Sequence, residues 1–145
     1  PAYILQKAEK LTDEEFALIR EHPVKGWEIA RQVGEMRLVA EVIRHHYERF
    51  DGRGYPDGLA GEAIPLEARI VTTADTFDAM TSQRPYRPAL SMEAAKEELL
   101  RVAGSQLDPQ CVQALLKALE LGIAAAPDAL VGATPVQIAS LVSSE

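Results

Sequence analysis

Disulfide chemistry is closed to this chain, because its only cysteine, Cys111, has no partner within it. A lone thiol fits a reducing compartment, and the cytoplasm is the expected location. No uninterrupted apolar run reaches the roughly 18 residues of a membrane span. The first twenty residues carry Lys7, Glu9, Lys10, Asp13, Glu14 and Glu15, which excludes a secretory signal. Positive charge is also scarce: 15 Lys and Arg face 22 Asp and Glu, a net charge of −7, so no basic field exists to hold a nucleic-acid polymer. An initiator Met is missing before Pro1, which fits either its removal or a chain cut from something longer, and the motifs below favour the second. What remains is ordinary globular composition, with 145 residues, 47% of them hydrophobic and 26% charged. That is enough for one core and too little for two.

Local signals give helices. Thr12 followed by Glu15 is a capping box that opens a helix over about 12–22, with Phe16, Ile19 and Leu18 on one face. Pro23 either ends that helix or starts the next, a run carrying Val24, Trp27, Ile29 and Ala30 that stops at Gly34. A third helix covers EMRLVAEVIRHHYERF, with Met36, Val39, Val42, Ile43 and His46 on its inward stripe. The next fifteen residues, DGRGYPDGLAGEAIP, hold four glycines and two prolines and read as a long functional loop. LEARIVTTADTFDAMTS follows as a mostly apolar helix expected in the middle of the fold, carrying Leu66, Ile70, Val71, Ala74, Phe77, Ala79 and Met80. Its β-branched cluster makes no strand, because no alternation or partner strand is visible elsewhere. Ser91 caps a further helix that Gly104 closes, and Asp108 with Pro109 starts the last one. The expectation is an all-α domain over 1–122 and a tail over 123–145 with one short helix near 135–142.

Only three histidines are present. His22 ends one helix, His46 lies on the stripe of another, and Asp75 falls among apolar residues of a third. A carboxylate on a buried helix must be paired, hydrogen-bonded or metal-bound. Two readings stay open: Asp75 pairs with an arginine while His46 is a satisfied core histidine, or both bind a metal. In the loop, Gly52, Gly54 and Gly58 permit positive φ and close approach, while Tyr55 and Pro56 fix a corner. Arg84 and Arg87 suit bidentate binding of a phosphate, Arg87 the better of the two, and Arg84 could equally pair with Asp78 or Asp75. Trp27 reads as a core residue.

The segments EHPVKGWEIA, HHYERFDGRGYPDGLAGEAIPLEARIVTTADTFDAMTSQRPYRPAL and AGSQLDPQCV, in this order, resemble the HD-GYP family of bacterial cyclic di-GMP phosphodiesterases. The resemblance implies an HD-superfamily helical bundle around a divalent iron or manganese centre. It places His22, His46 and Asp75 as metal ligands, with Glu48 and Asp78 behind them. Tyr47 falls where the family has a second histidine, which makes it a degenerate metal position, since a neutral phenol is a weak ligand. The Gly54, Tyr55 and Pro56 loop, with Arg84 and Arg87, becomes a platform for substrate or for a partner GGDEF domain. The family's His-Asp pair and the acidic ligand before it are absent, and the family sequence that follows the pair resembles the opening PAYILQKAEKLTDEEF. The expectations are therefore a bundle lacking its first helices, a catalytic centre too incomplete for turnover, and a homodimer that covers the apolar surface those helices would leave. The alternative is a non-catalytic nucleotide-binding or protein-interaction module.

Overall fold

The computed structural model describes residues 12–83 and 88–122. Expectations for Arg84, Arg87 and the 123–145 tail fall outside them. Among the described residues five helices follow one another: α1 (Asp13–Ala30), α2 (Arg37–His45), α3 (Leu66–Thr81), α4 (Met92–Val102) and α5 (Pro109–Glu120). Short 3₁₀ turns at Gly34–Met36 and Gly61–Ala63 precede α2 and α3. Two isolated bridges, Asp51 with Ala60 and Ala103 with Leu107, are the only β pairing among the described residues, so the all-α expectation holds.

The helix starts are chemical. Glu15 N donates to Thr12 Oγ1 at 3.2 Å while Thr12 N donates to Glu15 Oε2 at 2.8 Å, the reciprocal capping box. Ser91 Oγ accepts from Ala94 N, and Asp108 Oδ1 accepts from Gln110 N with Pro109 in the first turn. Pro23 breaks nothing. α1 runs straight through it for 18 residues. Proline removes one helical hydrogen bond, but its ring is among the most deeply buried side chains, and that packing offsets the loss. The expected third helix is shorter than its hydrophobic pattern suggested, ending at His45 with His46 as C-cap. Its inward residues are Ala40 and His45, while Met36 and Val39 face outward.

Two packing units result. α1 and α2 pack where Gly26 lets them approach: a Cβ there would lie 2.7 Å from Ile43 Cγ2. Met80 of α3, Ala95, Leu99 and Val102 of α4, Leu107 of the α4–α5 turn and Val112 of α5 form the buried cluster, with Phe77 and Leu116 against it. Cys111 is buried beside them, and burial pushes its thiol up to about 11, so it packs rather than reacts. The segment after α2 joins the halves, since Phe50 N and Asp51 N donate to Gln106 O and Ser105 O in the α4–α5 turn. α3 is less buried than its apolar run suggested: Ala68, Thr73 and Met80 face inward, whereas Ala74 and Asp75 are exposed.

Gly26→Ala tests the α1–α2 contact by its sign. Alanine in a helix normally gains about 1 kcal/mol over glycine, but here its methyl meets a stiff β-branched side chain. Denaturant unfolding should show a net loss of about 1–3 kcal/mol, largely recovered in the Gly26→Ala/Ile43→Ala double variant.

Candidate functional site

Where α2 stops, the backbone turns sharply, with Glu48 N donating to His45 O at 3.0 Å. This turn sends His45 and His46 to opposite tasks. His46 is half-buried, and its Nδ1 lies 2.9 Å from Ile43 O. A carbonyl can only accept, so Nδ1 carries a proton, and in the neutral ring the lone pair is then on Nε2. The His46 carbonyl is in turn held by α3, because Thr72 Oγ1 stands 2.8 Å from it and also 2.8 Å from Ala68 O. Asp75 lies one turn further along α3.

His46, Tyr47, Glu48, Asp75 and Asp78 line one cavity of about 740 Å³, walled on its other side by α4 and the α4–α5 turn. The buried carboxylate expected on α3 is thus an exposed one on a cavity wall, and Asp78 accepts from Ser82 Oγ at 3.1 Å. His22 is exposed on α1 and is not among the residues lining that cavity.

Glu48 organises the loop. Its side chain is buried, and Oε1 accepts from Asp57 N at 2.7 Å and Gly58 N at 3.0 Å. To reach those amides the chain must pass over its own start at Gly54. A Cβ there would sit 2.3 Å from Arg49 N, 2.5 Å from Glu48 Cα and 2.6 Å from Tyr47 O, all of them backbone. Gly52 and Gly58 adopt φ of 78° and 67°, and the Tyr55–Pro56 bond is cis. Tyr55 stacks on Tyr47 with centroids 5.1 Å apart, Tyr47 leans on His46 at 4.1 Å, and Phe16 and Arg20 of α1 close over Tyr55. Burial raises the Tyr55 phenol to about 12, so it stays neutral.

A donor group that the sequence reading passed over sits behind this loop. His45, Glu48 and Asp57 each bring one ligand-type atom within 4.8 Å of the others. Asp57 is also gripped by Arg44, with Nε and Nη2 at 2.8 and 2.7 Å. Trp27 is a half-buried organiser here rather than a core residue. Its Nε1 donates to Glu41 at 3.0 Å, and the Arg31 and Arg44 guanidiniums lie over its ring at 4.4 and 4.8 Å. The available signal was the spacing of Glu41, His45 and Glu48, which puts all three near one helix face.

The HD domain family matches residues 1–111. The chain belongs to that family. Its relatives include the cyclic di-GMP phosphodiesterase response regulator RpfG of Xanthomonas campestris, 48% identical over 81% of this chain and 32% of that protein. A cyclic di-GMP phosphodiesterase of Thermotoga maritima is 40% identical over the same shares. A crystal structure of a cyclic GMP-AMP-specific phosphodiesterase from V. cholerae superposes with a TM-score of 0.64 at 25% identity, covering 92% of this chain and 30% of that one. With its Gly-Tyr-Pro loop, this is an HD domain of the HD-GYP type. The chain spans about a third of the length of these relatives. No described helix is long and apolar enough to cross a membrane.

Acid should undo the loop in a defined window. Hydrogen bonds from Arg44 hold the Asp57 carboxyl below its ordinary range, and those from Arg49 hold Asp51 down at about 2. Depressed carboxyls stabilise the fold above their unfolded value of about 3.9 and stop doing so as pH falls through the folded value. Near-UV circular dichroism of the tyrosine stack should therefore hold down to about pH 4 and fade towards about pH 2. In Arg49→Ala the fading should begin at higher pH.

Proposed function

We propose that this HD domain forms the metal-binding cavity of a phosphodiesterase whose substrate is a cyclic dinucleotide, cyclic di-GMP in the first instance, and that residues 1–145 alone do not turn it over. The tautomer of His46 supports this most: with Nδ1–H committed to a carbonyl, Nε2 is a ready ligand atom on the cavity that Asp75 also lines. An imidazole nitrogen and a carboxylate oxygen suit iron or manganese. His46 and Asp75 form the ligand pair, and His22, exposed on α1 and outside the lining of that cavity, is the third ligand that the family pattern implies. A bound divalent ion supplies a polarised phosphoryl oxygen and a water of lowered pKa. Glu48 and Asp78 stand beside the ligands, Arg84 and Arg87 neutralise substrate phosphates, and Gly54, Tyr55 and Pro56 present the loop to substrate or to a GGDEF domain.

Inactivity of the isolated chain follows from its donors. No His-Asp dipeptide occurs in the 145 residues, and Tyr47 stands where a second histidine ligand would be. The same two observations favour a second reading, a module that binds the nucleotide or a GGDEF partner without cleaving it. Ile29 and Leu38, 73% and 70% exposed, support self-association into a homodimer.

Metal analysis and turnover with added manganese or ferrous iron test the proposal. The short chain should hold fewer than about two ions and show no hydrolysis, since a two-metal clamp is incomplete. Asp75→Ala and His46→Ala should each lower the metal content further. A chimera carrying the family's His-Asp segment ahead of Pro1 should gain turnover that Asp75→Ala abolishes. Hydrolysis by the short chain, or chimeric turnover indifferent to Asp75, would refute the proposal. A chimera that binds nucleotide and metal without cleaving would favour the second reading.

A further inference from the structure

His45 presents an unsolved problem of valence. The ring is 6% exposed, and its Nδ1 makes no hydrogen bond. What faces that nitrogen is negative: Asp57 Oδ2 at 3.5 Å and Glu48 Oε1 at 3.9 Å. On the other side, Glu41 Oε2 stands 3.4 Å from Nε2, its partner oxygen fixed by Trp27. A neutral imidazole with its proton towards Glu41 aims a lone pair at two carboxylates, which is repulsive. Glu48 is equally incomplete. Oε1 takes two backbone amides, while Oε2 is buried with no partner at all.

We propose that His45, Glu48 and Asp57 form a structural site for one divalent transition-metal ion, distinct from the His46 and Asp75 ligand pair although Glu48 also lines their cavity. Three observations converge on it. The 3.5 and 3.9 Å gaps are too long for hydrogen bonds. They are close to the separation of neighbouring donors around an ion with metal–ligand bonds of about 2.0–2.2 Å. Glu41 Oε2, 3.4 Å from Nε2, lies on the side of the ring where metal-binding histidines have their outer carboxylate. Charge agrees as well: Glu41, Glu48 and Asp57 carry three negative charges against the single positive charge of Arg44. One imidazole nitrogen with two carboxylate oxygens suits zinc or cobalt, with water at the open position. Arg44 does not compete for the ion, because its grip on Asp57 orients the ligating carboxylate. Such an ion joins the end of α2, the turn and the far side of the loop, so its effect is to fix the loop rather than to react.

Cobalt(II) and zinc(II) titrations of the full chain test this, with the His46→Ala/Asp75→Ala double variant removing the cavity ligands. That double variant should still bind one cobalt per chain, with the visible d–d absorption of a four- or five-coordinate ion, and zinc should raise its melting temperature. Adding Asp57→Asn, a surface-proximal change that preserves shape, should weaken cobalt binding at least tenfold and remove the zinc shift, with far-UV circular dichroism confirming the fold. His45→Gln should do the same. No cobalt in the double variant, or binding unaffected by Asp57→Asn, overturns the proposal. So does nitrogen NMR showing a His45 ring protonated on both nitrogens in the presence of zinc, since a second proton would then satisfy the carboxylates. Loss of metal only on changing His46 or Asp75 would leave the cavity proposal standing and sink this one.

Discussion

A buried carboxylate cannot stay without donors, and in this chain the donors of Glu48 are backbone amides nine and ten residues away. Most of the site geometry follows from that requirement. The loop must fold back until Asp57 N and Gly58 N reach Glu48, which forces its early part across the end of α2. Only a residue without Cβ fits at the crossing, and Gly54 is there. The return brings Tyr55 onto Tyr47, where Tyr55 N also donates to Tyr47 O at 3.2 Å, and brings the Asp57 carboxylate to Arg44. One desolvated charge thus fixes a loop that has almost no core of its own.

The second fastening is buried as well. Arg69 bonds Ile64 O through Nε and the Asp108 carboxylate through Nη1. Asp108 simultaneously caps α5. The exit of the loop, the start of α3 and the start of α5 are therefore locked by one ion pair. A buried pair of this kind contributes little net stability, but removing one partner leaves the other uncompensated. Its contribution is to geometry: it sets where α3 begins, and so where Thr72 and Asp75 fall along the cavity wall.

These features explain what could be read from residues alone. Caps were legible because they are local: Thr12 with Glu15, Ser91, and Asp108 with Pro109 each satisfy amides within three residues. Gly54 was legible as a close approach because glycine has few other reasons to precede Tyr-Pro. Pro23 was not, since its place inside α1 depends on a ring buried by tertiary packing. The exposure of Asp75 was not legible either, because apolar neighbours in sequence do not say which face of α3 a distant helix covers. The hardest case was a single residue of register. Extending α2 to Phe50 gives His46 the inward stripe, whereas stopping it at His45 makes His45 the buried ring and leaves His46 at the cavity edge.

Tyr47 is a structural part of the loop's footing. One side of its ring meets His46 and the other meets Tyr55, so the side chain is committed to packing between the histidine and the loop. A histidine at this position would be smaller, would leave Tyr55 without its stacking partner, and would still have to turn towards the cavity. Exchange of Tyr47 would therefore disturb the loop, because this ring supports Tyr55. At the cavity edge His46 is held by contacts of its own: its Nδ1 faces the Ile43 carbonyl and its carbonyl is held by Thr72. Both restraints come from the backbone and from α3, and neither involves the Tyr47 side chain.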